Sequence, residues 1–110
     1  MVYLHVTFNI DAHQSAAFES FYEETFWPVI REHGFQPVGI FRTLVGVAGE
    51  ITEIWRFADL ADYHTKWKAL MGDARLQEIF QTTGPMVKQE TFKLMEMLPF
   101  VPPPEFPKPR

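Results

Sequence analysis

From Val2 to Ile10 the chain alternates. Val2, Leu4, Val6, Phe8 and Ile10 share one side, and Tyr3, His5, Thr7 and Asn9 share the other. That period of two, in residues that favour extended backbone, predicts a β-strand. The second side is not strongly polar, so a strand covered on both faces is expected. Beyond Asp11 the period changes. Phe18, Phe21, Tyr22, Thr25, Phe26, Val29 and Ile30 recur every three or four residues, which predicts an amphipathic helix. Ser15 is the expected N-cap. Pro28 has no amide to donate, so it should kink this helix or begin a second short one. Gly34, just after His33, suits the left-handed residue that ends a helix.

Phe35 to Val45 reads as a second strand and Glu50 to Phe57 as a third. Gly46-Val47-Ala48-Gly49 between them has two glycines free to take positive φ. Centring the turn between Val47 and Ala48 sets Arg42 opposite Glu53, Leu44 opposite Ile51 and Ile40 opposite Trp55, a register that pairs opposite charges. Asp59 and Asp62 then open a helix as N-cap and N3 acid. Leu60, Tyr63, Trp67, Leu70 and Met71 form its apolar side. Gly72-Asp73 restarts the chain, Leu76, Ile79 and Phe80 give a further short stripe, and Gly84-Pro85 stops it. Val87 to Leu98 is the fourth strand. Residues 102–110 are rich in proline and cannot join a ladder, so an extended tail follows a single domain over residues 1–101.

The order β-α-β-β-α-β is the ferredoxin-like arrangement, an α+β fold with helices on one face of a four-stranded antiparallel sheet. The other face is then bare. Phe, Trp and Ile side chains from several strands are expected on it, and a second copy of the chain is the economical cover, because a two-fold interface is self-complementary.

Composition supports a generous core. Of 110 residues 46% are hydrophobic and 11 are Phe, and surplus apolar surface marks an interface or a ligand site. The net charge of -4 is spread over scattered side chains. No basic stripe is present to meet phosphates, which argues against nucleic acid. The absence of cysteine removes disulfides and thiolate chemistry. A strand beginning at Val2 leaves no room for a signal peptide. No apolar run approaches the roughly 20 residues that cross a bilayer. A cytoplasmic protein with no membrane partner is expected.

Several segments together resemble the NIPSNAP family of the dimeric α/β-barrel superfamily. Val38-Gly39-Ile40-Phe41-Arg42-Thr43, ending at Gly46, is similar to the family's second strand. Ile54-Trp55-Arg56-Phe57-Ala58-Asp59-Leu60 is similar to its third strand and exit. Pro28, the His33-Gly34 pair, Gln89-Glu90-Thr91 and Pro99-Phe100-Val101-Pro102 also fall where family members have like residues. The resemblance implies a homodimeric α/β barrel with a pocket between helices and sheet. Most members of the family lack an assigned reaction. One departure is visible: the family's first strand usually carries Glu and Arg two residues apart, and Leu4 and Val6 stand there instead.

Candidate chemistry is sparse. His5, His13, His33 and His64 show no two-histidine ligand spacing, so no metal is expected. Ser15 and Ser20 lack a nucleophile elbow, and the Gly46–Gly49 turn is no phosphate loop. No cofactor is expected. His5 lies mid-strand and reads as a hydrogen-bonded core or interface residue. Arg42 and Glu53 form either a cross-strand ion pair or a polar clamp in a pocket. Trp55 and Trp67 suit either core or a cleft for a small apolar or aromatic ligand. The candidate pocket is therefore His5, Asn9, Arg42, Glu53, Trp55 and Trp67.

The superfamily's haem-degrading and quinone-oxidising members use an Asn on the first strand with a Trp and a His or Tyr on the second helical segment. The resemblance implies that Asn9 and Trp67 stand in similar places. No His or Tyr follows Trp67 on its helix, so that haem ligand is missing. Binding of a small ligand or of another protein is the leading reading. A small monooxygenase or isomerase of the superfamily is the alternative, and whether the chain is an enzyme stays open.

Overall fold

The computed structural model describes residues 1–102. Apart from Pro102, the proline-rich tail lies outside the described residues. Four strands form one sheet: β1 (Val2–Ile10), β2 (Gln36–Arg42), β3 (Glu50–Phe57) and β4 (Val87–Glu96), in spatial order β2-β3-β1-β4. Every pairing is antiparallel. The helices are α1 (Ser15–Phe21), α2 (Trp27–Glu32), α3 (Leu60–Met71) and α4 (Ala74–Thr83). This is the α+β, ferredoxin-like fold that the order of elements predicts.

The core lies between helices and sheet. Leu4, Val6, Phe8 and Ile10 of β1 and Trp55 and Phe57 of β3 turn the same way and pack against Phe18, Tyr22, Val29, Ile30, Leu70, Leu76 and Ile79 from the helices. Burying one large apolar side chain contributes roughly 1.5–3 kcal/mol. Aromatic rings touch in two runs through this layer. Phe8, Phe18, Tyr22, Phe26 and Phe80 form one. Trp27, Trp55, Phe35, Phe57, Tyr63, Trp67 and Phe92 form the other.

The first helical segment is less regular than its periodicity predicts. Ser15 is not the N-cap but the first residue of α1, because a 3₁₀ turn at Ala12–Gln14 brings the chain in already coiled. Between α1 and α2, Tyr22–Phe26 forms a π-helical turn, in which the Trp27 amide donates to the Tyr22 carbonyl five residues back. Pro28 explains this. It offers no amide, so the hydrogen-bond ladder re-forms around it, and Pro28 sits in the first turn of α2, where a missing amide costs nothing. Gly34 follows at φ +80°. His33 Nε2 lies 2.9 Å from Asp73 Oδ2, and Arg75 joins Asp73 to Glu32. Those contacts pin the end of α2 to the start of α4.

The β2–β3 register differs from the expected one. Arg42 faces Ile51 and Ile40 faces Glu53, with an irregularity between Pro37 and Gly39. The charge pairing that suggested Arg42 opposite Glu53 does not form, since Arg42 reaches Glu19 of α1 instead. The turn is longer than a tight hairpin. Thr43 and Glu50 close it through a backbone bond, and Gly46 and Gly49 both have positive φ. β2 ends at Arg42 and β4 at Glu96, each shorter than its apolar run.

The helices pack against one face of the sheet; on the other, Tyr3 is buried while Phe41 is half exposed. Strand alternation places Tyr3, His5, Thr7 and Asn9 of β1 there, with Phe41 of β2, Thr52, Ile54 and Arg56 of β3, and Thr91, Lys93 and Met95 of β4. That face is mixed rather than uniformly apolar. Trp55, expected on it, belongs to the helix-covered face. No helix is long and apolar enough to cross a membrane.

Candidate functional site

A cavity of about 320 Å³ opens between the helices and the inner face of the sheet. Its size falls at the lower end of small-molecule sites. β1 contributes Leu4, Val6 and Phe8, and the helices contribute Phe18, Tyr22, Phe26 and Trp67 among others. Thr83, Val87, Glu90 and Phe92 line it from α4 and β4.

One carboxyl stands in this apolar setting. Glu53 is 8% exposed and accepts a hydrogen bond from Trp55 Nε1 at 2.9 Å. The two residues are two positions apart on β3, so they share a face. Burial pushes the Glu53 carboxyl up to about 7, against the opposing pull of the Trp55 indole N–H and the neighbouring Tyr22 hydroxyl and with a further push from Glu90. The Tyr22 hydroxyl stands near enough to Glu53 to favour its charged form, but it is buried and no hydrogen bond of good geometry joins it to any described residue. Burial, and then the Glu53 charge, raise Tyr22 well above the usual phenol range. Buried polar atoms normally find partners, so this hydroxyl is an exception that lines a cavity.

Two irregularities place these groups. The π-helical turn begins at Tyr22, and such turns recur at functional sites. On β4 the pairing with β1 slips between Thr7 and Asn9, and Gln89 takes φ 53°. This bulge puts Gln89 and Glu90 together opposite Phe8, and Glu90 lines the cavity. Partial burial raises the Glu90 carboxyl above its ordinary value.

The structure divides the sequence-derived set. Glu53, Trp55 and Trp67 meet at the cavity. His5 and Asn9 lie on the opposite face of the sheet. There His5 Nδ1 and Asn9 Oδ1 are buried without partners among the described residues, and Asn9 Nδ2 donates to Gln89 Oε1. Arg42 lies in a separate groove beside Glu19, Glu23 and Trp27. Asn9 and Trp67 are thus on opposite faces and share no pocket. Sequence reasoning missed Tyr22 and Glu90. The signal for Tyr22 was the proline six residues later, which displaces the helix ladder at that point. Among the described residues no three His, Asp or Glu side chains gather as a metal site.

The sequence profile described as NIPSNAP matches residues 3–102. A NIPSNAP family protein of unknown function from Agrobacterium tumefaciens superposes with a TM-score of 0.84 at 24% identity, covering 93% of this chain and 92% of its own. An uncharacterised NIPSNAP domain protein from Burkholderia xenovorans gives a TM-score of 0.85 at 16% identity, covering 94% of this chain and 100% of its own. More distant is a putative antibiotic biosynthesis monooxygenase from Deinococcus radiodurans, with a TM-score of 0.69, 14% identity and coverage of 96% and 100%. Among curated protein sequences none matches.

Proposed function

The chain belongs to the NIPSNAP family, and from that premise we propose that it is a homodimeric binding protein whose ligand is a small apolar or aromatic molecule. The carrying observation is the cavity between helices and sheet, lined by aromatic rings yet holding the buried Glu53 and Tyr22. A packed core has no reason to keep a carboxyl that desolvation penalises. A binding site has one, since a few placed polar groups in an apolar pocket orient a ligand.

Self-association through the open sheet face supplies the second part. Phe41 is 52% exposed there, and Leu44 and Val45 in the turn after β2 are 88% and 95% exposed. Leu98 and Phe100 beyond β4 are also open. Exposed apolar groups of this size favour a partner surface, and a second copy offers the same groups by symmetry. The proposed setting is the cytoplasm. The monooxygenase or isomerase reading draws less support, because Asn9 and Trp67 stand on opposite faces and the related monooxygenase fold is distant.

Naphthalene serves as a probe of the cavity, read by quenching of tryptophan fluorescence. Saturable quenching that weakens in Val87→Phe, which fills the cavity wall, supports the reading. Quenching absent in the wild type, or unchanged in the variant, refutes it.

A further inference from the structure

The cavity has an apolar body and one polar end. Three facts define that end. The Glu53 carboxyl is buried and takes a single side-chain donor at short range, the Trp55 indole. The Tyr22 hydroxyl stands beside that carboxyl, near enough to favour its charged form, yet no hydrogen bond of good geometry joins it to any described residue. Both residues line the same space, with aromatic and aliphatic side chains around them. A carboxylate accepts hydrogen bonds and cannot donate them, whereas a phenol hydroxyl has a proton to give. A ligand atom seated between the two must therefore donate to one and accept from the other. A hydroxyl does both. An amine would also donate, but its ammonium form has no lone pair to accept from the Tyr22 hydroxyl, and an apolar cavity penalises its charge. A carboxylic acid would set a second negative charge beside Glu53 and Glu90. The surrounding rings favour a flat apolar body.

We propose that this cavity selects a neutral aromatic compound bearing a hydroxyl group, whose O–H donates to the Glu53 carboxylate while its oxygen accepts from the Tyr22 hydroxyl. The inference rests on the cavity being a ligand site and adds the chemical class of the ligand. No covalent step is involved. The gain comes from satisfying two buried groups at once, since a hydrogen bond to a charged group favours binding by roughly ten- to a hundredfold.

Charge sets the pH behaviour. The groups facing Glu53 are Tyr22 from the π-helical turn, Trp55 from β3 and Glu90 from β4. Only Glu53 and Glu90 carry charge among the cavity-lining residues. A hydroxyl ligand prefers ionised Glu53, so its affinity rises as pH rises through about 7. A pure hydrocarbon prefers neutral Glu53, because it offers no donor and excludes water. Its affinity falls over the same range.

The test compares 2-naphthol with naphthalene on the full chain by fluorescence titration at pH 6 and pH 8. The expected result at pH 8 is 2-naphthol binding at least about tenfold tighter. Glu53→Leu, which leaves no acceptor, should abolish that preference while still binding naphthalene, and Tyr22→Phe should reduce it. Retained naphthalene binding shows that each variant keeps its cavity. Should Glu53→Leu fail to fold, the opposite pH trends of the two probes in the wild type decide the matter alone. Equal affinity for both probes, or a preference that survives Glu53→Leu, overturns the hydroxyl selectivity and leaves the cavity reading standing. If neither probe binds, both readings fall.

Discussion

The Trp55 indole N–H points at the Glu53 carboxyl from two residues further along the same strand, at 2.9 Å. Leu4 and Val6 of β1 stand directly opposite the two. A titratable acceptor is thereby fixed within an apolar layer by the strand that carries it. Its donor comes from the next inward-facing position, so the pairing needs no long-range adjustment.

Stability should fall as pH rises through the Glu53 titration. The ordinary glutamate value is 4.5, and burial raises Glu53 to about 7 in the folded chain. Between these values the folded chain keeps a proton that the unfolded chain has released. The destabilisation therefore grows from about pH 4.5 and levels off above about 7. Its size is of order 3 kcal/mol. Urea unfolding at pH 5 and pH 8 should show Glu53→Gln gaining on the wild type by up to that amount at the higher pH. A difference between the two proteins that stays constant with pH would contradict the assignment.

Asp59→Ala should cost about 1 kcal/mol. Its carboxyl accepts the Asp62 amide at 2.7 Å, and Asp62 in turn accepts the Ala58 amide at 2.9 Å. This reciprocal cap starts α3, the helix that brings Trp67 to the cavity. Asp59→Asn should recover most of the loss in thermal unfolding.

Gly49→Ala should destabilise by about 2 kcal/mol or more. The residue has φ +81°, and an added Cβ would lie 2.1 Å from the Ile10 carbonyl oxygen. The same contact region carries the bond from the Ile10 amide to the Gly49 carbonyl. Gly46→Ala also has an unfavourable φ, but its nearest neighbour is the Thr43 methyl at 3.3 Å. Denaturant midpoints should rank Gly49→Ala well below Gly46→Ala.

Phe41→Asp should separate the proposed dimer without unfolding the chain. Phe41 is half exposed, so the monomer loses little packing. Light scattering should give the wild type twice the 12.8 kDa chain mass at micromolar concentration and the variant the single mass. A monomeric wild type under those conditions would refute the dimer.

Much of the fold is legible in the sequence because its cues are local. The alternation from Val2 to Ile10 sets which side of β1 meets the helices, and Asp59 with Asp62 marks the start of α3. The family resemblance rests on equally local strings around Trp55 and is matched over residues 3–102. What the sequence does not reveal depends on relations between segments. Charge favours a β2–β3 register with Arg42 opposite Glu53, yet Arg42 finds Glu19 on a helix rather than Glu53 on the next strand. Ser15 looks like a cap only if the preceding turn is ignored.

The candidate site follows the same rule. Strand parity already separates His5 and Asn9 from the inward side of β1, but it does not say which side holds the cavity. Once Leu4 and Trp55 are seen to face the helices together, Glu53 joins them by parity alone. Tyr22 stays hidden because its position follows from the π-helical turn ahead of Pro28. Glu90 stays hidden because it follows from the bulge at Gln89. Both are departures from the periods that sequence reading relies on.

The three tryptophans offer the most direct test. Trp55 and Trp67 line the cavity, whereas Trp27 stands outside it in the groove near Arg42. Titration of ¹⁵N-labelled protein with naphthalene should move the indole N–H resonances of Trp55 and Trp67 saturably, with Trp27 moving least. Three static resonances, or a shift largest at Trp27, would show that the space between helices and sheet is not where a ligand binds.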